Sequence, residues 1–461
     1  MSIWNAIGRE VENFTADIRE LPVLRPSLRD ALREEIESCF DFASPVPLAE
    51  LTQKVIGFLR AHTVQVTHPR YFGLFNPSVS EASIVADTLA ALYNPQLATW
   101  SHAPAANELE RLALRYFTFM LGFNPDTTFA NFTTGGLEAN LSAVLVALGH
   151  RFPTFAHRGA SALGVEPVIY LTSESHHSFL KIARMTGVGT DALCEVATTT
   201  SFAFDVSALR ERIDVDAAAG RCPFMIVGTA GTTGGGIIDP LAALADVARE
   251  AGAWFHVDAA WGGAATLVPR LRPALEGVER ADSVTWDAHK WLSAPMGAGM
   301  FFCRHSAAVR RAFDVATSYM PSSTEAETAD PYATTVQWSR RAIGLKVFMS
   351  LAERGRDGLA EQIDHQARMG DALRSKLAAV GWTVVNATVL PLVCFTHADI
   401  RSGRRTTGEI LDRLYARGKV WISDVVLGRK ERVLRACITS FRTEEQDLQY
   451  LIDELELARN A

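Results

Sequence analysis

Several side chains are of types, and at places, that could carry chemistry. In SVTWDAHKWLSAPMGAG (283–299) a lysine, Lys290, follows His289 at the end of an apolar run. A protonated ammonium without a partner is costly there, so the lysine either snorkels with its stem buried or is held for its amine. Asp258 closes WFHVD, where a lone aspartate can equally cap the next helix. His176 and His177 follow VIYLTSES and read alone as loop polar residues, and Thr229 follows FMIVG. TTGGLEAN (133–140) sets two glycines, Gly135 and Gly136, before a helix, giving either a tight cap or a cradle whose backbone N–H groups hold an anion. Neither GxGxxG nor GxxxxGK[ST] occurs, so a dinucleotide fingerprint and a P-loop are both unsupported.

The elements around these residues suggest why they belong together. Short β-rich runs, PVIYLTS, FMIVGTA, WFHVDAA, DSVTW and GMFFCR, alternate with longer amphipathic stretches such as PLAALADVAREAG. That alternation predicts an α/β fold of βαβ units, with a mostly parallel sheet and helices on both faces. In such a sheet ligands collect at the carboxyl ends of the strands, and the glycine loop, the histidines, Asp258 and Lys290 all fall at that edge. Residues 1–65 read as a helical arm, broken at SPVPL, that needs another surface to pack on; 66–344 as the large domain; and 345–461 as a smaller α+β domain. No internal repeat or low-complexity tract is present.

Composition narrows the function classes. With 461 residues, 48% of them hydrophobic and 21% charged, the chain suits a soluble protein of more than one core, since single cores rarely exceed roughly 250–300 residues. A net charge of −7 without a basic block argues against nucleic acid or an anionic membrane as partner. The six cysteines show no CxxC pair and no metal-ligand spacing, and read as reduced thiols of a cytoplasmic protein. The opening MSIWNAIGREVENF meets charge too early for a signal peptide, and no run reaches the roughly 18 apolar residues of a membrane span.

HPRYFG, APAANELE, TTGGLEAN, SESHHSF, TAGTTGGGIIDPL, WFHVDAAWGG and DAHKW together make the chain resemble the group II pyridoxal-phosphate-dependent amino acid decarboxylases, from His68 to the C-terminus. HVDAA followed by HKW is the specific pair; the glycine loop alone is weak. The resemblance implies a fold-type I, aminotransferase-like architecture and a Schiff base between Lys290 and the cofactor, which answers the problem of burying that amine, since a neutral imine is tolerated where an ammonium is not. It implies Asp258 against the pyridine nitrogen, His177 rather than His176 on the ring face, and Gly135, Gly136 and Leu137 as the phosphate loop. Leu137 stands where many relatives carry a hydroxyl. His289 and Asp287 would lie near the phosphate, and Thr229 and Ala260 against the cofactor. Tyr319, in RAFDVATSYMPSS, aligns with the loop tyrosine that reprotonates the substrate carbon, and SYMPSSTEAETADPY reads as a lid.

The same resemblance implies a homodimer, with the cofactor at the subunit interface and the arm wrapping the partner. For the substrate it points to Phe75, Asn76 and Ser78, to Ala98 and Trp100 after Gln96, and to Arg435 as a carboxylate fork. Asn76 and Ala98 replace the bulky aromatics of aromatic-specific relatives, leaving acidic, small polar and modified aromatic amino acids open. The activity implied is conversion of an L-amino acid to its amine and carbon dioxide. The alternatives are an aldehyde-forming oxidative deaminase, a C–C lyase on the same scaffold, and a binding protein that has kept the fold.

Overall fold

A computed structural model describes residues 2–315 and 330–461. Seven strands form the large sheet: β1 (Phe129–Thr133), β2 (Pro167–Thr172), β3 (Leu193–Val196), β4 (Cys222–Thr229), β5 (Trp254–Asp258), β6 (Ser283–Asp287) and β7 (Gly299–Cys303). Their order is β1-β7-β6-β5-β4-β2-β3, all parallel except β7, which is antiparallel to both neighbours. β5, β6 and β7 are buried at every position, which explains why they read as continuous apolar runs: helices cover both faces of the sheet.

Local chemistry sets the crossovers. The helix Leu241–Ala251 stops at Gly252, whose φ of 63° lets its amide turn back to the Ala248 carbonyl, and β5 begins two residues later. The helix Gly136–Arg151 is buried along most of its length and lies under β5, β6 and β7, so its N-terminus is fixed beside their carboxyl ends.

A kinked helix, Leu345–Ala379, with Gly355 at φ 68°, leads to an antiparallel sheet of β8 (Thr383–Val384), β9 (Leu392–Thr396), β10 (Ser423–Leu427) and β11 (Glu431–Cys437), in the order β10-β11-β9-β8. Helices Thr407–Arg417 and Glu445–Asn460 pack on it around Phe395, Leu414 and Leu451. Beside β1 and the start of the kinked helix, Arg340 and Glu110 form a buried ion pair at 2.8 Å, and Glu110 also accepts the Gly344 amide at 2.7 Å. Loss of either partner would strand a buried charge, so the glutamate of APAANELE has a packing role.

The N-terminal segment is different. Helices Ile3–Ala16, Arg29–Cys39 and Leu48–His62 contain no buried residue. The segment is pinned at a few points: Val23 donates to Gly418 O at 2.9 Å, and Arg19 Nη1 donates to the buried Asp447 carboxylate at 2.6 Å.

His68, which opens HPRYFG, is fully buried, and its Nδ1 accepts the Arg70 amide at 2.8 Å. Burial lowers its pKa from 6.5 to about 4. The unfolded chain therefore binds a proton that the folded chain refuses, so the stability this ring contributes is full above pH 6.5 and is lost as pH falls toward 4. His68→Asn keeps an acceptor for Arg70 and cannot charge. In urea unfolding between about pH 7.5 and 5, the wild type is expected to lose about 2 kcal/mol more than this variant; identical losses would contradict the assignment.

Candidate active site

Three neighbouring strands end at the crevice edge. In the register of the sheet Thr229 pairs with Asp258, and Asp258 with Thr285, two residues before Asp287 closes β6. The turn after β6 carries Lys290, the one after β5 carries Ala260 and Trp261, and the one after β1 leads into the helix starting at Gly136. Together they enclose a cavity of about 210 Å³.

Lys290 Nζ lies 3.1 Å from Asp287 Oδ2 and 5.3 Å from the centre of the Phe75 ring. Asp258 is 5% exposed; its Oδ1 accepts the Ala260 amide at 3.1 Å and its Oδ2 accepts Asn140 Nδ2–H at 2.9 Å. His289 Nδ1 accepts the Ala298 amide at 3.2 Å, leaving Nε2 to carry the proton, 3.7 Å from Asp287. Burial lowers the His289 pKa against the pull of Asp287, so the ring is neutral at ordinary pH. An aromatic wall closes one side: Phe75 meets Trp261 at 4.8 Å, and Trp261 stacks on Trp291 at 5.4 Å.

Of the sequence-derived residues, Lys290, Asp258, Gly135, Gly136, Leu137, Thr229, Ala260, Asp287, His289 and Phe75 all line this cavity. His177 does not. His176 lines it instead, with its pKa lowered by burial against the attraction of Asp258, while His177 faces only an adjoining cavity. The two lie in the turn before the helix Ser178–Met185, where adjacent side chains diverge and only one can meet the crevice.

The substrate set divides similarly. Ser78 is fully buried, donating to Thr67 O at 2.5 Å and paired with Ser440 at 2.9 Å, which makes it a packing residue. Asn76 lies beside Met296, Ala98 is buried with its carbonyl on the Tyr332 amide, and Trp100 reaches Glu108 along a separate groove; none of the three lines the cavity within one chain. Gln96 ties Ala98 to Arg340 through its Oε1. Arg435 is 2% exposed, with its guanidinium 5.0 Å from the Phe75 ring. It donates to Thr233 O at 3.1 Å and Gly73 O at 3.0 Å, and its Nη2 has no partner among the described residues. Tyr319 lies outside the described residues.

Asn140 was not anticipated. Its signal was a polar residue on an otherwise apolar helix, just past the glycine loop, but only the helix's rotation against β5 brings it to Asp258.

Residues 44–398 match the pyridoxal-dependent decarboxylase conserved domain, and the chain belongs to that family. It is 29% identical to tryptophan decarboxylase 1 of rice (Oryza sativa subsp. japonica) over 95% of this chain and 89% of the relative. It is 26% identical to the acidic amino acid decarboxylase GADL1 of cattle (Bos taurus) over 89% and 81%. The crystal structure of the Oryza sativa enzyme TDC with pyridoxal phosphate and tryptamine superposes with a TM-score of 0.90 at 26% identity, covering 99% of this chain and 96% of the other. The protein is thus a pyridoxal-phosphate-dependent amino acid decarboxylase with the fold-type I architecture.

The cavity fits that cofactor. Asp287 Oδ1 and Thr229 Oγ1 are buried without partners among the described residues, as expected where a polar ligand completes the bonding. The first amides of the helix Gly136–Arg151 face an anion site by position. A Cβ on Gly136 would stand 2.9 Å from Asp287 Oδ2, so the loop can approach only as glycine. Gly136→Ala is therefore expected to weaken cofactor affinity about tenfold or more, read by titrating the apoprotein with pyridoxal phosphate at the visible band. An unchanged affinity would place the phosphate elsewhere.

Proposed function

We propose that Lys290 carries the cofactor and that the protein removes the α-carboxylate of an L-amino acid as carbon dioxide, releasing the amine. The observation that supports this most directly is that Lys290 and Asp258 face one cavity from two adjacent strand ends, with a helix N-terminus on a third side. Bound there, pyridoxal phosphate supplies an aldehyde for the substrate's amine and a ring that draws in the electron pair left when a bond at Cα breaks.

The protein's own groups divide the remaining work. Asp258 holds a proton on the ring nitrogen, with Asn140 and the Ala260 amide fixing its carboxylate. The amides of Gly136 and Leu137 and the Nε2–H of His289 would hold the phosphate. Leu137 offers no hydroxyl, so that grip is one contact short. His176, which lines the cavity, would cover a ring face, the part the sequence alone gave to His177. Asp287 balances the Lys290 ammonium whenever that amine is free. Phe75 and Trp261 keep water from the reacting carbon. Arg435, with one nitrogen free and its guanidinium on the same ring as Lys290, suits the substrate carboxylate. Tyr319 returns a proton to Cα.

An adjoining cavity of about 320 Å³ shares His176 and Thr233 with the first and adds Glu174 and Asp424 beside Leu74, Val425 and Val426, a mixed lining that suits a substrate side chain with both apolar and polar parts. The enzyme works as a homodimer in the cytoplasm. Supporting this, the arm helices bury nothing, Trp4 and Leu92 stand exposed around an apolar hollow of about 780 Å³, and all six cysteines are unpaired. Among the described residues no helix is long and apolar enough to cross a membrane.

Incubation of the holoenzyme under air with the common amino acids and their derivatives, counting carbon dioxide, amine, aldehyde and peroxide, tests the reading. Carbon dioxide and amine in equal amounts are expected for at least one substrate, with Tyr319→Phe diverting product toward aldehyde and peroxide. Aldehyde without amine from the wild type would overturn it.

A further inference from the structure

Behind Asp258 runs a line of polar side chains of which only the first, Asn140, touches the cavity. Asn140, which donates to Asp258 through Nδ2, lies through its Oδ1 at 3.0 Å from His256 Nε2 and accepts Thr285 Oγ1–H at 2.6 Å. His256 Nδ1 is 2.8 Å from Ser283 Oγ, and Ser283 Oγ accepts the indole N–H of Trp254 at 2.8 Å. Asn140, His256, Thr285 and Ser283 are at most 1% exposed, so no solvent can substitute for a missing partner.

The Asp258 end and the single proton of a neutral imidazole fix the direction of the bonds in this line. An indole N–H can only donate and a carboxylate can only accept. Asn140 must turn its amide nitrogen to Asp258, which makes Oδ1 an acceptor and His256 Nε2 a donor. With the one proton of a neutral ring on Nε2, Nδ1 is left an acceptor, so Ser283 Oγ, which takes the Trp254 N–H on a lone pair, donates its own proton to it. That assignment needs a neutral ring protonated at Nε2, and burial supports it by lowering the His256 pKa to about 4.

We propose that Asn140 and His256 are positioning residues: they form a one-way hydrogen-bond chain from Trp254 to Asp258 that holds this carboxylate in line with the ring nitrogen of the cofactor. Asp258 then has a protein donor on each oxygen, from Ala260 and from Asn140, and keeps its remaining lone pairs for the ligand. The chain spans β5, β6 and the helix Gly136–Arg151, so the alignment of the carboxylate is coupled to the packing of the sheet itself. The inference rests on Asp258 facing the ring nitrogen.

The test uses the holoenzyme in two ways. In ¹⁵N-histidine-labelled wild type, His256 is expected neutral and protonated at Nε2 across about pH 5.5 to 8; an Nδ1-protonated or charged ring overturns the chain whatever the variants do. Asn140→Ala is expected to lower kcat about tenfold at nearly unchanged KM and to move the pH midpoint of the visible cofactor band. Ser283→Ala, which leaves the Asn140–Asp258 bond in place, should do the same to a smaller degree, about two- to threefold. If Asp258→Asn abolishes activity while both of these variants keep the wild-type band and kcat, the chain is wrong and the role of Asp258 stands. If Asp258→Asn itself changes neither, the role of Asp258 fails and the chain fails with it.

Discussion

A lysine ammonium cannot be carried to the buried end of β6 without something to meet it, and Asp287 meets it at 3.1 Å. That pairing is the constraint around which the rest is arranged. A buried ion pair is poor evidence for stability, because an apolar pair of the same volume would serve as well or better. It is sensible on the proposed function, in which the lysine would need its amine both charged and free and a carboxylate beside it to balance the charge. The second carboxylate, Asp258, is held by its own donors, the Ala260 amide and Asn140, and makes no ion pair with Lys290 among the described residues.

The fold supplies the rigidity this requires. Asp258 and Asp287 end fully buried strands, and the helix Gly136–Arg151 is packed beneath those same strands. The residues proposed to meet substrate come from elsewhere: Phe75 from the segment before the large sheet, within 5.3 Å of Lys290 Nζ, and Arg435 from β11 of the small sheet, over the same Phe75 ring. On the proposed function, chemistry sits on the stiff sheet while recognition is drawn from parts that can vary independently, which suits a family whose relatives bear the names of tryptophan and acidic amino acid decarboxylases.

Much of this was legible from the residues. The strands buried on both faces announce themselves as apolar runs, and the chemical residues stand at their ends. β1, β3 and β10 did not stand out: β1 carries Asn131 in its middle, β3 is a four-residue edge strand with Glu195 exposed, and β10 is an edge of the small sheet, only partly buried. In the site, Lys290, Asp258 and the glycine loop were readable because strand position alone places them. The choice between His176 and His177 was not, since it depends on the path of a single turn. Asn140 and His256 were hidden because their meaning lies in how a helix is rotated against a sheet. Ser78 drew attention through its motif, yet its hydroxyl is spent on Thr67 and Ser440.

The covalent role of Lys290 is the claim on which all else turns, and it can be read directly. Reduction of the holoenzyme with sodium borohydride, followed by proteolysis and peptide mass mapping, fixes any imine between protein and cofactor as a stable amine. The account predicts a phosphopyridoxyl group on the peptide containing Lys290 and on no other lysine. A label on a different lysine, or none on a protein that has bound the cofactor, would contradict it.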